Sequence, residues 1–147
     1  MRSVDVEPPP GMPQRDLYHD AVKQALVKDG WIITHDPLLL SFARRNLYVD
    51  LEAPLAAEKE GRRIAVEVKS FLGASEVTDL ERALGQYALY RALLGRQEPD
   101  RVLYLAVPCR VFENFLIDPD AQTVLTAEQV RLVVFDPDKE AILSWTG

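Results

Sequence analysis

The chain has 147 residues, of which 48% are hydrophobic and 27% charged, values that are ordinary for one soluble globular domain. The net charge of −6 argues against a general nucleic-acid coating protein, which is normally basic, but it is compatible with a metal-dependent acidic site. The single cysteine excludes an internal disulfide, and the lack of a signal peptide or a long apolar run favours a cytoplasmic protein without a membrane span.

Hydrophobic periodicity divides the chain into alternating helices and strands. Apolar residues at helical spacing predict helices over residues 14–29, 76–95, 111–116 and 119–129. Alternating or continuous β-type residues predict strands over residues 31–34, 46–53, 62–70, 102–107, 131–135 and 141–145. Residues 38–45 fit either a short helix or a loop. Residues 1–13, which include three consecutive prolines, predict a disordered or extended tail, and residues 14–147 a single domain.

Turn and capping residues set several of these boundaries. Gly30 ends the first helix, and Asp36-Pro37 breaks the strand that follows it. The long helix is expected to begin near Thr78, because Thr78 and Glu81 have the spacing of a capping box. An Asp136-Pro137-Asp138 turn joins the last two strands into a hairpin.

The middle of the chain predicts an α/β fold with a mixed sheet. Pro54 and the charged residues 58–61 predict a turn region between two alternating strands. The strand-helix-strand passage over residues 62–107 then predicts a right-handed crossover between parallel strands. A helical segment and a β-hairpin extend this arrangement at the C-terminus.

Three polar residues share one face of the two alternating strands: Asp50 on the first, and Glu67 and Lys69 on the second. If the strands pair antiparallel, Asp50 approaches Glu67, and the two carboxylates with a backbone carbonyl and waters form an oxygen cage suited to Mg²⁺ or Mn²⁺. Lys69 could then orient the attacking water, an arrangement that suits phosphodiester hydrolysis. The simpler alternative is a solvated strand face, but the apolar flanks of Glu67 favour an interior strand, where an unpartnered charge is costly.

In an acidic protein, any phosphate-binding surface must be a local basic patch. Arg44-Arg45 and Arg62-Arg63 are the candidates in this sequence. For either pair taken alone, a solvated surface is the more common role.

These residues and the element order resemble the PD-(D/E)XK nuclease superfamily, whose core has the order α-β-β-β-α-β. In that family an aspartate lies on the second core strand and the (D/E)XK motif on the third, which correspond here to Asp50 and Glu67-Val68-Lys69. The usual proline before the aspartate is replaced by Val49. The resemblance implies a restriction-endonuclease-like fold and a divalent-metal-dependent nuclease activity.

A second resemblance concerns the helix after the motif. Gln86 and Tyr90 fit the QxxxY pattern of the RecB-like and Cas4-like nucleases, and with Arg82 they share a helix face that could contact nucleic acid or the catalytic lysine. The alternative is that Tyr90 packs in the core and Gln86 is solvated. In such nucleases the first helix often contributes another acid or a histidine, for which His19 and Asp20 are the candidates.

Two further acids, Glu52 and Glu58, lie near the motif in the sequence and could substitute as ligands. Glu58 is expected in an exposed turn, which makes it the weaker candidate. The number of metal ions that such a site would hold stays open.

A narrower resemblance covers nearly the whole chain after Met12. The stretches MPQRDLYHDAVKQALVKDGWIITHDPL, LYVDLEAPLAAEKEGRRIAVEVKSFLG and DLERALGQYALYRALL are similar to the XisH family, with residues 1–11 as an extension. Members of that family are described as excision-controlling factors for the cyanobacterial fdxN element, which act beside a site-specific recombinase and a small companion protein, XisI. The resemblance implies DNA, a XisI-like protein and possible self-pairing as interactions, and it does not by itself establish a reaction.

Two functions follow from these features. The first is a metal-dependent DNA endonuclease or nicking enzyme that controls excision of a DNA element. The second is a catalytically silent regulatory protein that keeps the nuclease fold and binds DNA, a recombinase or a XisI-like partner. A toxin-like or defence nuclease restrained by its small partner would share the chemistry of the first.

Overall fold

A computed structural model describes residues 16–46 and 53–146 of the chain. Its helices are α1 (His19–Lys28), α2 (Glu76–Gln97), α3 (Cys109–Val111), which runs into a π-helical turn (Phe112–Leu116), and α4 (Pro119–Ala127). Its strands are β1 (Ile32–His35), β2 (Ser41–Phe42), β3 (Arg45–Asn46), β4 (Leu55–Lys59), β5 (Arg62–Val68), β6 (Arg101–Pro108), β7 (Leu132–Asp136) and β8 (Ala141–Trp145). No helix in these ranges is both long and apolar enough to cross a membrane.

Six strands form one mixed sheet in the order β1-β4-β5-β6-β7-β8. The pairs β1/β4, β4/β5 and β7/β8 are antiparallel, whereas β5/β6 and β6/β7 are parallel. The parallel pair β5/β6 is connected through α2, as the strand-helix-strand pattern predicts. The predicted α/β class with a mixed sheet and a C-terminal β-hairpin is therefore confirmed.

The alternation of β5 separates two hydrophobic clusters on opposite faces of the sheet. Ile64, Val66 and Val68 belong to the cluster that includes the buried residues of α1. Ala65 belongs to the cluster that includes the buried residues of α2. Because side chains alternate along a strand, Glu67 lies on the same face as Ala65, beneath α2.

The strand that pairs with β5 differs from the sequence prediction. Residues 54–61 were expected to form a turn region, but Leu55–Lys59 is a strand whose Leu55 pairs with Val66. The turn is confined to Glu60 and Gly61, both at positive φ. The first three residues of β4 are all buried, so this strand lacks the alternation that identifies a half-exposed strand. Of the predicted strand 46–53, residues 47–52 lie outside the described residues.

Helix α1 is shorter than predicted, whereas β1 has the predicted length and is shifted by one residue. Helix α1 begins at His19 rather than residue 14 and ends before Gly30, which adopts a φ of +93°. Strand β1 ends at a cis Asp36-Pro37 bond, and residues 38–45 contain part of a two-stranded hairpin rather than a helix. The predicted tail, residues 1–13, lies outside the described residues.

Helix α2 begins at Glu76, as its apolar periodicity predicts, but its cap is not the predicted capping box. Its N-cap is Ser75, whose side chain accepts a hydrogen bond from the Thr78 N–H at 3.2 Å, so Thr78 lies in the first turn. The buried stripe contains Leu80, Ala83, Tyr87, Tyr90 and Leu94. Ala88 lies outside this stripe and is exposed.

The C-terminal elements agree closely with the sequence. Strand β8 has the predicted bounds, and the Asp136 carboxylate accepts hydrogen bonds from the N–H groups of Asp138 at 2.9 Å and Lys139 at 3.1 Å. Helix α4 begins with Pro119 in its first turn, after an Asp118 cap that accepts from the Asp120 N–H at 2.9 Å.

An ionic cluster joins the beginnings of β5 and β6 to the end of α2. The Arg101 side chain is fully buried, and it donates from Nη1 to the Ile64 carbonyl at 3.1 Å and from Nε to Glu98 Oε1 at 3.2 Å. Arg63 reaches the same Glu98 oxygen at 3.3 Å. The Glu98 carboxylate therefore compensates the buried guanidinium and holds the crossover helix over the sheet.

We expect Glu98→Ala to destabilise the protein by up to ~3 kcal/mol, because it leaves the Arg101 charge buried without its carboxylate. Urea unfolding monitored by circular dichroism measures the change. Glu113→Ala removes the same charge from an exposed position on the π-helical turn and should alter stability by less than about 0.5 kcal/mol. Equal stability of the two variants would contradict this role of Glu98.

Candidate functional site

Glu67 is the buried acid of the sheet. Strand β5 lies between β4 and β6 and continues in a buried run from Ile64 to Val68, so the Glu67 side chain is only 2% exposed. It points to the α2 face, where Ala65 and Tyr87 belong to the hydrophobic cluster. The prediction that Glu67 belongs to an interior strand is therefore confirmed, and the solvated-face alternative does not apply to it.

Lys69 follows the end of β5 and remains close to Glu67. Its backbone N–H donates to the Ala106 carbonyl of β6 at 3.0 Å, which extends the parallel pairing by one residue. Its ammonium group lies 3.9 Å from Glu67 Oε1, and its side chain is 18% exposed. The structure therefore places a buried carboxylate and a partly accessible cation side by side at the carboxyl end of β5.

The second predicted carboxylate, Asp50, lies outside the described residues, as does Glu52. The pairing of Leu55 with Val66 brings the start of β4 beside the end of β5 that carries Glu67. Glu58 lies at the other end of β4, opposite Arg63, about 13 Å along β5 from Glu67. Its carboxylate is 3.8 Å from the Arg63 Nε, so Glu58 is not brought to the Glu67 site.

The residues predicted on α2 have different environments. Tyr90 is fully buried in the cluster beneath the helix, as the packing alternative predicts. Gln86 is half-buried, and its Oε1 atom is buried without a hydrogen-bond partner in the described part of the chain. Arg82 is exposed one turn earlier. The alternative of a simply solvated Gln86 is wrong, and its amide oxygen is available to an additional donor or a cation.

Tyr87 links α2 to two strands, a role that was not predicted from the sequence. Its hydroxyl donates to the Leu103 carbonyl of β6 at 2.9 Å and accepts from the Arg131 N–H, just before β7, at 3.1 Å. Burial raises the pKa of the Tyr87 hydroxyl above its usual value of 10.0, although the hydrogen bond from Arg131 opposes this. The negative charge of Glu67 raises the pKa further.

His19 and Asp20 lie on α1, which packs on the opposite face of the sheet from Glu67. The His19 Nε2 is 2.7 Å from Asp36 Oδ1, and Lys23 is 3.0 Å from Asp36 Oδ2. Asp20 is exposed. The structure does not bring either residue together with Glu67, and His19 contributes to the contact between α1 and the end of β1.

A polar cluster that the sequence reading also missed fixes the segment after Lys69. Ser70 is buried, and its N–H donates to Asp16 Oδ2 at 2.9 Å, while its hydroxyl donates to Asp16 Oδ1. Arg110 donates to the Ser70 carbonyl at 2.7 Å. These partners lie 54 and 40 residues from Ser70, so no local spacing in the sequence indicates them.

The second basic pair does not form a free phosphate-binding patch. Arg62 lies over the Trp31 ring, with its guanidinium carbon 5.3 Å from the ring centroid. Arg63 is 3.8 Å from Glu58 and 3.3 Å from Glu98, so its charge is offset by two carboxylates. Both positions lie at the beginning of β5, away from Glu67 at its end.

Two of the predicted site residues carry oxygen donors that suit a hard divalent cation. The buried Glu67 carboxylate and the Gln86 amide oxygen are oxygen donors of the type that Mg²⁺ and Mn²⁺ prefer. Residues 16–46 and 53–146 contain no group of three or more His, Cys, Asp or Glu that could hold a metal ion. A complete ligand set therefore needs a further acid, such as Asp50.

A family model described as XisH protein matches residues 12–143. The chain belongs to the XisH family. One similar solved structure is the crystal structure of an XisH family protein from Nostoc punctiforme PCC 73102. Its sequence is 43% identical to this chain, and the match covers 90% of this chain and 100% of the Nostoc chain, with a TM-score of 0.83. The structure of a fdxN element excision controlling factor protein from Anabaena variabilis is 44% identical, with the same coverages and TM-score. No curated protein matches significantly.

The match confirms the resemblance that the sequence motifs predict. Glu67, Lys69, Gln86 and Tyr90 all lie within the matched range, whereas residues 1–11 precede it, as expected for an extension. The 43% and 44% identities, together with full coverage of both crystal structures, show that this XisH chain shares their fold.

Replacing Tyr87 with Phe should lower the free energy of unfolding by about 1–3 kcal/mol, because the Arg131 N–H loses its acceptor and the Leu103 carbonyl loses a donor. Urea unfolding at pH 7 measures this change. The raised pKa predicts a second effect. Above pH 10 the unfolded Tyr87 ionises before the folded one, so wild type loses stability that the variant does not, and the difference between them shrinks.

The matched control for this variant is Tyr104→Phe. Tyr104 is another buried tyrosine, but its ring packs edge-on against Trp145, at 4.9 Å between centroids, in the cluster on the other face of the sheet. This change should alter stability by less than about 0.5 kcal/mol. A Tyr87→Phe variant as stable as Tyr104→Phe would show that the two hydrogen bonds do not contribute.

Proposed function

We propose that this XisH protein is a divalent-metal-dependent DNA endonuclease or nicking enzyme of the PD-(D/E)XK type. The observation that carries the proposal is the Glu67–Lys69 pair. A carboxylate that is 2% exposed lies 3.9 Å from a lysine ammonium at the end of an interior strand. A buried ion pair contributes little net stability compared with apolar residues of similar size. Its presence in the sheet is therefore better explained by chemistry than by folding.

The order of the elements supports a restriction-endonuclease-like core. Without the two-residue strands β2 and β3, the first six elements are α1, β1, β4, β5, α2 and β6, which is the order α-β-β-β-α-β. Glu67-Val68-Lys69 ends the third of these strands, where the superfamily carries its motif. Asp50 lies three positions before Ala53 in the sequence, and Leu55, two residues after Ala53, pairs with Val66 beside Glu67.

The proposed chemistry assigns a separate role to each side chain. Asp50 and Glu67 would hold Mg²⁺ or Mn²⁺, which when bound polarises a phosphate and lowers the pKa of a bound water. Lys69 would orient the attacking water or stabilise negative charge on the phosphate oxygens. Gln86 would hydrogen-bond the site or the nucleic-acid backbone through its amide, and Arg82 would contact the backbone from the exposed side of α2.

The proposed biological role is based on the description of a similar protein. The Anabaena variabilis protein is called a fdxN element excision controlling factor, and we propose a related role for this chain in excision of a DNA element. Its partners would then be DNA, a XisI-like small protein and a site-specific recombinase. The exposed edge strands β1 and β8 offer surfaces on which two copies could pair.

A catalytically silent regulatory protein is the second candidate function. The net charge of −6 favours it, because unaided binding to DNA relies on Lys and Arg contacts to phosphates. Arg63 and Arg101 do not supply such contacts, since both are paired with Glu98. Under this hypothesis, the protein would bind DNA, a recombinase or a XisI-like protein through its nuclease-like fold without cutting DNA.

We expect Asp50→Ala, Glu67→Gln and Lys69→Ala each to reduce metal-dependent DNA cleavage on the order of 100-fold or more, because each removes a group that acts on the scissile phosphate. Cleavage of supercoiled and linear DNA with Mg²⁺ or Mn²⁺ measures the loss. Glu58→Gln is the matched control, since Glu58 lies on the neighbouring strand but away from Glu67, and it should cleave like wild type.

Metal binding is measured separately from cleavage through the melting temperature. Saturating Mn²⁺ should raise the melting temperature of wild type and of Glu58→Gln but not that of Glu67→Gln. Cleavage that persists in all three site variants would contradict the proposal that these residues form a nuclease site. Wild type that never cleaves, with or without a XisI-like protein, would favour the regulatory function.

A further inference from the structure

The segment between β1 and β4 makes an excursion away from the sheet, and one backbone hydrogen bond joins its two ends. The Leu38 N–H donates to the Pro54 carbonyl at 2.7 Å, which joins the two ends of the excursion. Pro54 directly precedes Leu55, the residue that pairs with Val66 next to Glu67. The excursion therefore leaves the sheet at the same strand end at which the Glu67–Lys69 pair is found.

The first part of this excursion is anchored on the α2 face. Leu38 and Leu40 are buried in the cluster beneath α2, with exposed fractions of 5% and 2%. The Gln97 side chain at the end of α2 donates to the Ser41 carbonyl at 2.7 Å and accepts from the Ser41 N–H at 3.2 Å. Two buried leucines and a bidentate amide thus fix the base of the hairpin formed by β2 and β3.

The tip of the β2–β3 hairpin presents an aromatic ring and a cation to solvent. Phe42 is 49% exposed, and Arg44 is exposed beside it. The two turn residues, Ala43 and Arg44, have φ angles of 51° and 64°, a conformation that two-residue hairpins normally build with Asn or Gly. Ordinary side chains are retained here despite this backbone strain, and Arg45 follows directly in the sequence.

The charge at this tip differs from that of three arginines that make internal contacts. Arg63 and Arg101 are paired with Glu98, and Arg110 donates to the Ser70 carbonyl. Arg44 instead projects from a turn whose neighbours in the hairpin, residues 41–46, include no acid. In a chain of net charge −6, this turn is a local site at which a phosphate backbone could approach.

We infer that the β2–β3 hairpin is a DNA-contacting arm that holds duplex DNA across the Glu67 site. Arg44 contacts phosphates or a groove edge, and Phe42 packs against sugars or bases, the combination of cation and apolar side chain that groove-binding arms use. The inference rests on the proposed function, because it takes the DNA that is to be cut at Glu67 as the ligand. It adds the segment that grips this DNA.

The spacing between the arm and the site suits a duplex. Gln97, which fixes the base of the hairpin, precedes Glu98, whose carboxylate lies 3.3 Å from Arg63 at the beginning of β5. Glu67 lies four residues further along this strand, which corresponds to about 13 Å. This separation is less than one helical turn of B-DNA, about 34 Å, so one short duplex can contact both.

The test is binding of a fluorescently labelled duplex to the full chain in EDTA, where cleavage cannot occur, over a range of salt concentrations. Arg44→Ala should weaken binding at least ~3-fold near 50 mM salt and reduce the salt slope by about 0.9, as expected for one lost phosphate contact. Phe42→Ala should weaken it at least ~5-fold through lost stacking or packing. Arg44→Lys retains the charge and should keep the wild-type salt slope.

Two matched variants separate the arm from the cleavage site. Lys139→Ala removes an exposed cation from the turn between β7 and β8 and should bind DNA like wild type. Glu67→Gln should fail to cleave with Mg²⁺, and adding Arg44→Ala to it should weaken duplex binding by the same factor as in wild type. Weaker binding by both arm variants supports the arm even if wild type never cleaves. Unchanged binding by Arg44→Ala and Phe42→Ala, or no duplex binding by wild type, overturns the arm even if Glu67-dependent cleavage is observed.

Discussion

The burial of the Glu67 carboxylate is the constraint on which the rest of the site depends. Strands on both sides and α2 above it remove the side chain from water, and transferring an ion from water costs several kcal/mol even after relaxation. The Lys69 ammonium, 3.9 Å away, offsets part of this cost. The carboxylate and the lysine must therefore keep their relative positions, which requires that β5 and the residues after it do not move.

Polar anchors hold β5 at both ends and leave the Glu67–Lys69 pair between them. At its beginning, Arg101 and Glu98 tie β5 and β6 to the end of α2. Beyond its end, Asp16 and Arg110 fix the backbone of Ser70. Each anchor satisfies buried polar groups that would otherwise lose hydrogen bonds, so the anchors stabilise a single position of the strand. The site is preorganised by these surroundings rather than by its own two side chains.

Strong periodicity predicted β5, α2 and the β7–β8 hairpin, and a continuous run of β-type residues predicted β6. Strand β4 was missed, because Leu55-Ala56-Ala57 shows no alternation and alanine is not a typical strand residue. The burial of Glu67 could be inferred from its apolar flanks. The hydrogen bonds of Tyr87 and the Asp16–Ser70 contact could not, because they join residues that are distant in the chain and have no common spacing.

An acidic composition is compatible with a DNA-directed function if positive charge is concentrated where the DNA would bind. Arg63 and Arg101 pair with the Glu98 carboxylate, so their charges do not strengthen the positive electrostatic potential that a duplex would meet. In the proposed function, bound divalent cations would change the sign of the potential at Glu67, which would make DNA binding at that site dependent on metal. The hairpin with Arg44 would need no metal to attract a phosphate. Binding and cutting would therefore draw on two separate sources of positive charge, and loss of one need not abolish the other.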